Sequence, residues 1–204
     1  MLDSRPHRLR RAHSRSRPLP QRALDDLRYI RETMERSAFT ASPGWGQVLM
    51  GVTALAAAAL ARRQSTETRW LAVWLIEAGV AVAIAIPATQ LKAQRAGLPL
   101  TSGPSRKFAL GFLPSIVAAT GLTFALVQAH QIGLLPGLWL LLYGAAVISG
   151  AAFSIPLLRS MGFCFLLAGA LALLYPAWGN LLMAVGFGGL HMLFGAWIGA
   201  KHGG

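Results

Sequence analysis

RWLAVWLIEAGVAVAIAIPA, residues 69–88, is apolar on every side and carries one carboxylate, Glu77. Twenty residues at 1.5 Å each make a helix of about 30 Å, the thickness of a bilayer's hydrocarbon layer. The strict alternation of a membrane β-strand is absent. The stretch therefore reads as a membrane-crossing helix, and similar runs recur along the chain. They predict six crossings, at about Gly44–Ala61, Trp70–Leu91, Lys107–Gln128, Pro136–Leu158, Ser160–Tyr175 and Trp178–Ala200. Pro87 is expected to kink the end of the second, and Pro114 lies inside the third. The fourth and fifth are separated only by Arg159 and Ser160, so five crossings with a re-entrant piece is the alternative.

The composition agrees. Of 204 residues, 54% are hydrophobic and 13% charged, where a soluble domain has about one quarter charged. The mean hydropathy is +0.51. The fold class expected is an all-α, six-helix transmembrane bundle (residues 43–204), preceded by a cytosolic amphipathic helix and turn (23–42) and a disordered basic tail (1–22). The tail is rich in Arg, Ser and Pro and poor in apolar residues, a composition that cannot bury a core. Neither does it read as a secretory signal, since no apolar run follows within the first thirty residues.

The net charge is +12. Residues 1–42 hold ten Arg against five acids, Asp3, Asp25, Asp26, Glu32 and Glu35. Beside membrane helices, this excess points to anionic lipid headgroups and not to nucleic acid. The distribution of Lys and Arg favours both termini in the cytoplasm. The first outer loop, with Arg62, Arg63 and Arg69, departs from that rule. Cys164 is the single cysteine, so the chain forms no internal disulfide and no cysteine-based metal site.

Residues 23–36 place Leu24, Leu27, Ile30 and Met34 at helical spacing. Arg28 with Glu32, Arg31 with Glu35, and Glu32 with Arg36 form i,i+4 pairs. The apolar stripe can rest on headgroups or the bundle's mouth, or it can dock a cytosolic protein partner. Trp45 suits the interface belt. Gly195 with Gly199, Gly111 with Ser115, and Gly79 with Ala83 are small-xxx-small pairs that suit close helix approach. Gly186, Gly188 and Gly189 belong with them.

Trp70, Trp74 and Glu77 stand at i, i+4 and i+7 and share one helix face. A carboxylate in hydrocarbon costs several kcal/mol, so Glu77 should be protonated, paired or in a wet cavity. Two readings stay open. Two indole faces above an acid suit a lipophilic cation, and an acid held neutral there can exchange its proton for that cation. Alternatively, the tryptophans belong to the interface belt, and Glu77 bonds a neighbouring helix or reaches toward Arg69. His191 lies near the middle of the sixth crossing, where it can relay protons, pair with Glu77 or be satisfied by a carbonyl. Haem ligation would want a second His at matching depth, and His130 sits at the outer edge. Asn180 reads as an outer-edge cap, and Thr120 and Thr123 as bonded back to their own helix. No nucleophile–base pair, phosphate loop or zinc spacing is present, so neither catalysis nor a cofactor is expected.

The stretches DDLRYIRETMERSAFTASPGWGQVLMGVTALAAAALA, LPGLWLLLYGAAVISGAAFS and HMLFGAWIGAKHGG resemble a group of bacterial integral membrane proteins of about 200 residues with no assigned activity. The resemblance spans about residues 24–204. It implies a bacterial inner-membrane location and carries over no site residue. The function expected is a non-enzymatic sensor or accessory protein. The alternative is a small proton-coupled transporter of lipophilic or cationic solutes using Glu77.

Overall fold

The computed structural model describes residues 24–30, 43–95, 103–153 and 156–202. The Arg-rich tail, Met34 and the turn at 37–42 lie outside them. The chain divides into two compact units, Met1–Glu35 and Arg36–Gly204. In the first, residues 24–30 form helix α1, with Leu24, Leu27, Tyr29 and Ile30 exposed.

In the second unit every described element is helical, and six helices are long and apolar enough to cross a membrane. Helix α2 is Gly44–Ala61, α3 Glu67–Arg95 and α4 Gly103–Gln128. A short turn, Ile132–Leu134, leads into α5, Leu135–Gly150. Helix α6 is Pro156–Leu174. The last crossing is built from pieces: a turn at Pro176–Trp178, α7 at Gly179–Met183, a π-helical stretch at Ala184–Leu190, and α8 at His191–His202.

Several boundaries move from those expected. The break between the fourth and fifth crossings falls before Pro156, not at Arg159 and Ser160. Proline lacks an N–H and has φ already suited to a first helical turn, so it opens α6. That gives the fifth crossing 19 residues, enough for a full span. Helix α3, expected over Trp70–Leu91, runs from Glu67 through Pro87 to Arg95 and so is longer at both ends.

Glycine builds several of the seams. In lipid, helices gain little from burying apolar surface, and close backbone packing must hold them together. At the α2–α8 seam, a Cβ on Gly44 would collide with the backbone of Gly195 and Gly199, and one on Gly195 would lie 2.8 Å from Gly44 O. At the α5–α6 seam, a Cβ on Gly144 would lie 2.7 Å from Gly162 O, and one on Gly162 would lie 2.9 Å from Gly144 O. Gly111 likewise brings α4 against Ser149 of α5. The pairing of Gly79 with Ala83 is a correction: nothing lies within 4 Å of a Cβ at Gly79, and Ala83 is exposed.

Helix α3 packs chiefly on α2, and α4 on α5. Their outer faces are apolar and open, with Ile76, Val82 and Ile86 on α3 and Leu110, Val117 and Phe124 on α4 all exposed. Such faces suit lipid. Trp45 and Trp197 are exposed near one end of the bundle, Tyr175 and Trp178 near the other, as aromatic belts at two interfaces would be. Lys201 Nζ lies 5.1 Å from the Trp197 ring centroid. Helix α4 ends with His130 at φ 56°. There His130 N–H donates to Val127 O and Gln131 N–H to Leu126 O, the paired closure of a left-handed helix end.

Candidate functional site

The stripe on α3 turns inward. Trp74 is 3% exposed and Trp70 half-buried, so neither belongs to the interface belt. Both indole N–H groups donate to one atom, Asn180 Oδ1, at 3.0 Å from Trp70 and 3.2 Å from Trp74. The Asn180 amide then donates to Ala58 O of α2 at 3.1 Å. Asn180 is therefore not an edge cap. It joins α7 to α2 and α3 and uses both ends of its side chain. The Trp70 ring stacks on Trp139 of α5, with centroids 6.0 Å apart and planes 12° from parallel. Trp139 Nε1 donates to Thr123 Oγ1 of α4 at 2.8 Å. Thr123 and Thr120 also donate back to Ala119 O and Ile116 O, as their positions suggest.

One turn deeper, Glu77 is buried against α2, with Oε1 2.8 Å from Thr53 Oγ1. This is the bond to a neighbouring helix, and the carboxyl group does not reach toward Arg69. Thr53 Oγ1 also lies 3.0 Å from Met50 O in its own helix. Among the described residues, no ion pair engages Glu77.

His191 opens α8, directly after the π-helical stretch, and is 4% exposed. Its partner is Tyr143 of α5, with Tyr143 Oη 2.7 Å from Nε2. The pairing of His191 with Glu77 is a correction: among the described residues, no hydrogen bond joins them. The carbonyls of Gly186 and Phe187 adjoin the imidazole, yet neither is aligned for a hydrogen bond to Nδ1. The tautomer follows from counting protons. Tyr143 Oη has no other acceptor among the described residues, so the tautomer that uses its proton has Nε2 accepting and the hydrogen on Nδ1. A π-helical turn bonds i to i+5 and leaves room for such an arrangement. Phe165, Phe187 and Tyr143 surround the ring at centroid distances of 5.4–6.2 Å. The rings form a continuous chain from Trp70 through Trp74, Phe187 and Tyr143 to Phe112 and Phe108.

Among the described residues, no group of three or more His, Cys, Asp or Glu side chains could hold a metal. Of the residues expected to contact lipid or a partner, Leu24, Leu27 and Ile30 are exposed on α1, while Met34 is outside the described residues.

The sequence singled out Trp70, Trp74, Glu77 and His191. The structure brings the two tryptophans together on Asn180 and gives Glu77 and His191 separate partners. Thr53, Tyr143 and Trp139 were not singled out. Each is an ordinary residue in an apolar run, and its partner lies on another helix. Comparison with protein-family models, with curated proteins and with solved structures returned no match.

Proposed function

We propose that this chain is a non-enzymatic accessory or sensor protein of a bacterial inner membrane, with both termini in the cytoplasm, whose segment 23–36 docks a cytosolic partner. The observation that carries this reading is how the interior polar groups are used. Asn180, Trp70, Trp74, Trp139, Thr123, Tyr143, Thr53 and Glu77 all bond other helices. Their chemistry is occupied in holding the bundle, as a scaffold requires. A cation site needs an open ring face, and the Trp70 face is taken by Trp139. That weighs against the transporter reading.

Photo-cross-linking side chains at Leu24, Leu27 and Ile30, in the intact membrane, test the docking. One protein captured at all three positions, and not at Asp25 or Asp26, is expected. Cross-links to lipid alone, or equal capture on both faces, would overturn it. Impermeant thiol reagents on cysteines placed near each terminus test the orientation. In proteoliposomes, proton-linked flux of a lipophilic cation that Glu77→Gln abolishes would replace this reading with transport.

A further inference from the structure

We propose that Glu77 is an intramembrane proton-binding site, whose carboxylic acid donates to Thr53 Oγ1 while Thr53 donates to Met50 O. The inference starts from a count of hydrogens. Thr53 Oγ1 is within hydrogen-bonding distance of two acceptors, Met50 O at 3.0 Å and Glu77 Oε1 at 2.8 Å. A hydroxyl has one proton, so only one of the two contacts can be a full two-centre hydrogen bond from it. If Glu77 were ionised, it would be acceptor-only, and the two short contacts would have to share one hydrogen or leave one contact without any. With a proton on Glu77, both contacts are hydrogen bonds, and the relay Glu77 → Thr53 → Met50 runs in one direction.

The surroundings agree. Glu77 is 8% exposed. Helix α2, which covers it, has no charged residue from Gly44 to Ala61, and the last crossing has none from Pro176 to Ala200. His191, the titratable group of that crossing, is engaged by Tyr143. Among the described residues no cation pairs with the carboxyl group, and an unpaired carboxylate in hydrocarbon is costly.

The bound ligand is thus a proton, and the site has two states. When the acid O–H bond breaks and the proton leaves to water, the carboxylate takes Thr53's hydrogen bond. The Thr53 hydroxyl then turns away from Met50 O. Binding reverses both changes. The seam that responds is α2–α3, the main packing surface of α3. This proposal stands apart from the docking of residues 23–36, and either can fail without the other.

Infrared difference spectroscopy of the full-length protein in lipid at neutral pH tests it. The expected signal is a carbonyl stretch of a protonated carboxylic acid that Glu77→Gln removes. Glutamine keeps the shape and can donate an N–H to Thr53. Thr53→Val should shift the same band upward in frequency, because the acid loses its acceptor. Should the glutamine variant fail to fold, ¹³C-glutamate labelling of the native chain serves instead: Glu77 is the glutamate in an apolar span, and its protonated band must move with the isotope. A spectrum with only ionised carboxylates at neutral pH would overturn the proposal. So would a protonated band that Thr53→Val leaves in place.

Discussion

Asn180→Leu removes the polar link between three helices while keeping the branched outline of the side chain. Three hydrogen bonds disappear: two from indole N–H groups and one to Ala58 O. Interhelical hydrogen bonds in membrane proteins are worth about 0.6 kcal/mol on average and up to about 1.7. Three of them give about 2 kcal/mol, with about 5 as the upper bound. Trp74 is 3% exposed, so its orphaned N–H has no water to turn to, and the loss should lie above the average. The added Leu methyls recover part of it, because Asn180 is only half-buried.

Reversible unfolding in mixed micelles measures the change, and double-mutant cycles locate it. Trp74→Phe alone removes one donor, and Trp70→Phe the other. With Asn180→Leu already in place, neither should cost its full amount, so the coupling energy should be about 0.5–1.5 kcal/mol for each pair. Near-additive effects, or a loss under about 0.5 kcal/mol for Asn180→Leu, would refute the shared-acceptor arrangement.

Gly144→Ala should destabilise the bundle by about 1–3 kcal/mol, since the added carbon meets the Gly162 carbonyl across the seam. Gly79→Ala, with nothing within 4 Å, should be neutral or stabilise by up to about 1 kcal/mol through helix propensity. The same micelle unfolding assay ranks the two. His130→Gly should stabilise by about 0.5–1 kcal/mol, because φ 56° strains a residue with a Cβ, and thermal unfolding in detergent reads it. ¹⁵N NMR should find His191 with its hydrogen on Nδ1. Tyr143→Phe should cost about 1–2 kcal/mol by leaving Nε2 without a donor and should perturb that nitrogen's shift. A dominant Nε2–H form in the native chain would contradict the assignment.

The crossings were legible because length and apolarity are written locally: α2 runs Gly44–Ala61 as expected. The fourth and fifth helices were misdivided because Arg159 looked like the polar break, whereas Pro156 governs where a helix can begin. The glycine seam of α5 and α6 was also written in the sequence. Gly137 and Gly144 are seven apart, as are Gly162 and Gly169, and that spacing marks one helix face more dependably than the pair at Gly79 and Ala83. The inward stripe Trp70–Trp74–Glu77 was legible as a face, but not its partners. Asn180 lies 110 positions from Trp70 and 122 from Ala58, and nothing local distinguishes such an asparagine from a cap. Tyr143 gave no signal either, since a tyrosine in an apolar run reads as packing until the histidine facing it is known.

The stripe's chemistry has a mechanical explanation that separates α3 from its neighbours. Helices α2 and α8, and α5 and α6, meet backbone to backbone at glycines, where dispersion forces suffice. On α3, nothing lies within 4 Å of a Cβ at Gly79 and the outer face is open to lipid. Among the described residues, its one close glycine contact is at Ala88, where a Cβ on Gly46 of α2 would lie 2.8 Å away. Trp70, Trp74 and Glu77 each make a polar bond to another helix. A helix held this way depends on directional bonds more than on area, because lipid competes equally for its apolar surface. Two of those bonds involve indoles that do not titrate, and they fix the end near Asn180. The third involves a group that can gain or lose a proton. A change at Glu77 should therefore leave the Trp70 end in place and alter the α2–α3 seam below it. Distance measurements from spin labels on α2 and α3 should show a difference between native and Glu77→Gln chains that is centred near Glu77 and absent beside Trp70. A uniform shift along the whole helix would mean that the indole bonds do not anchor it.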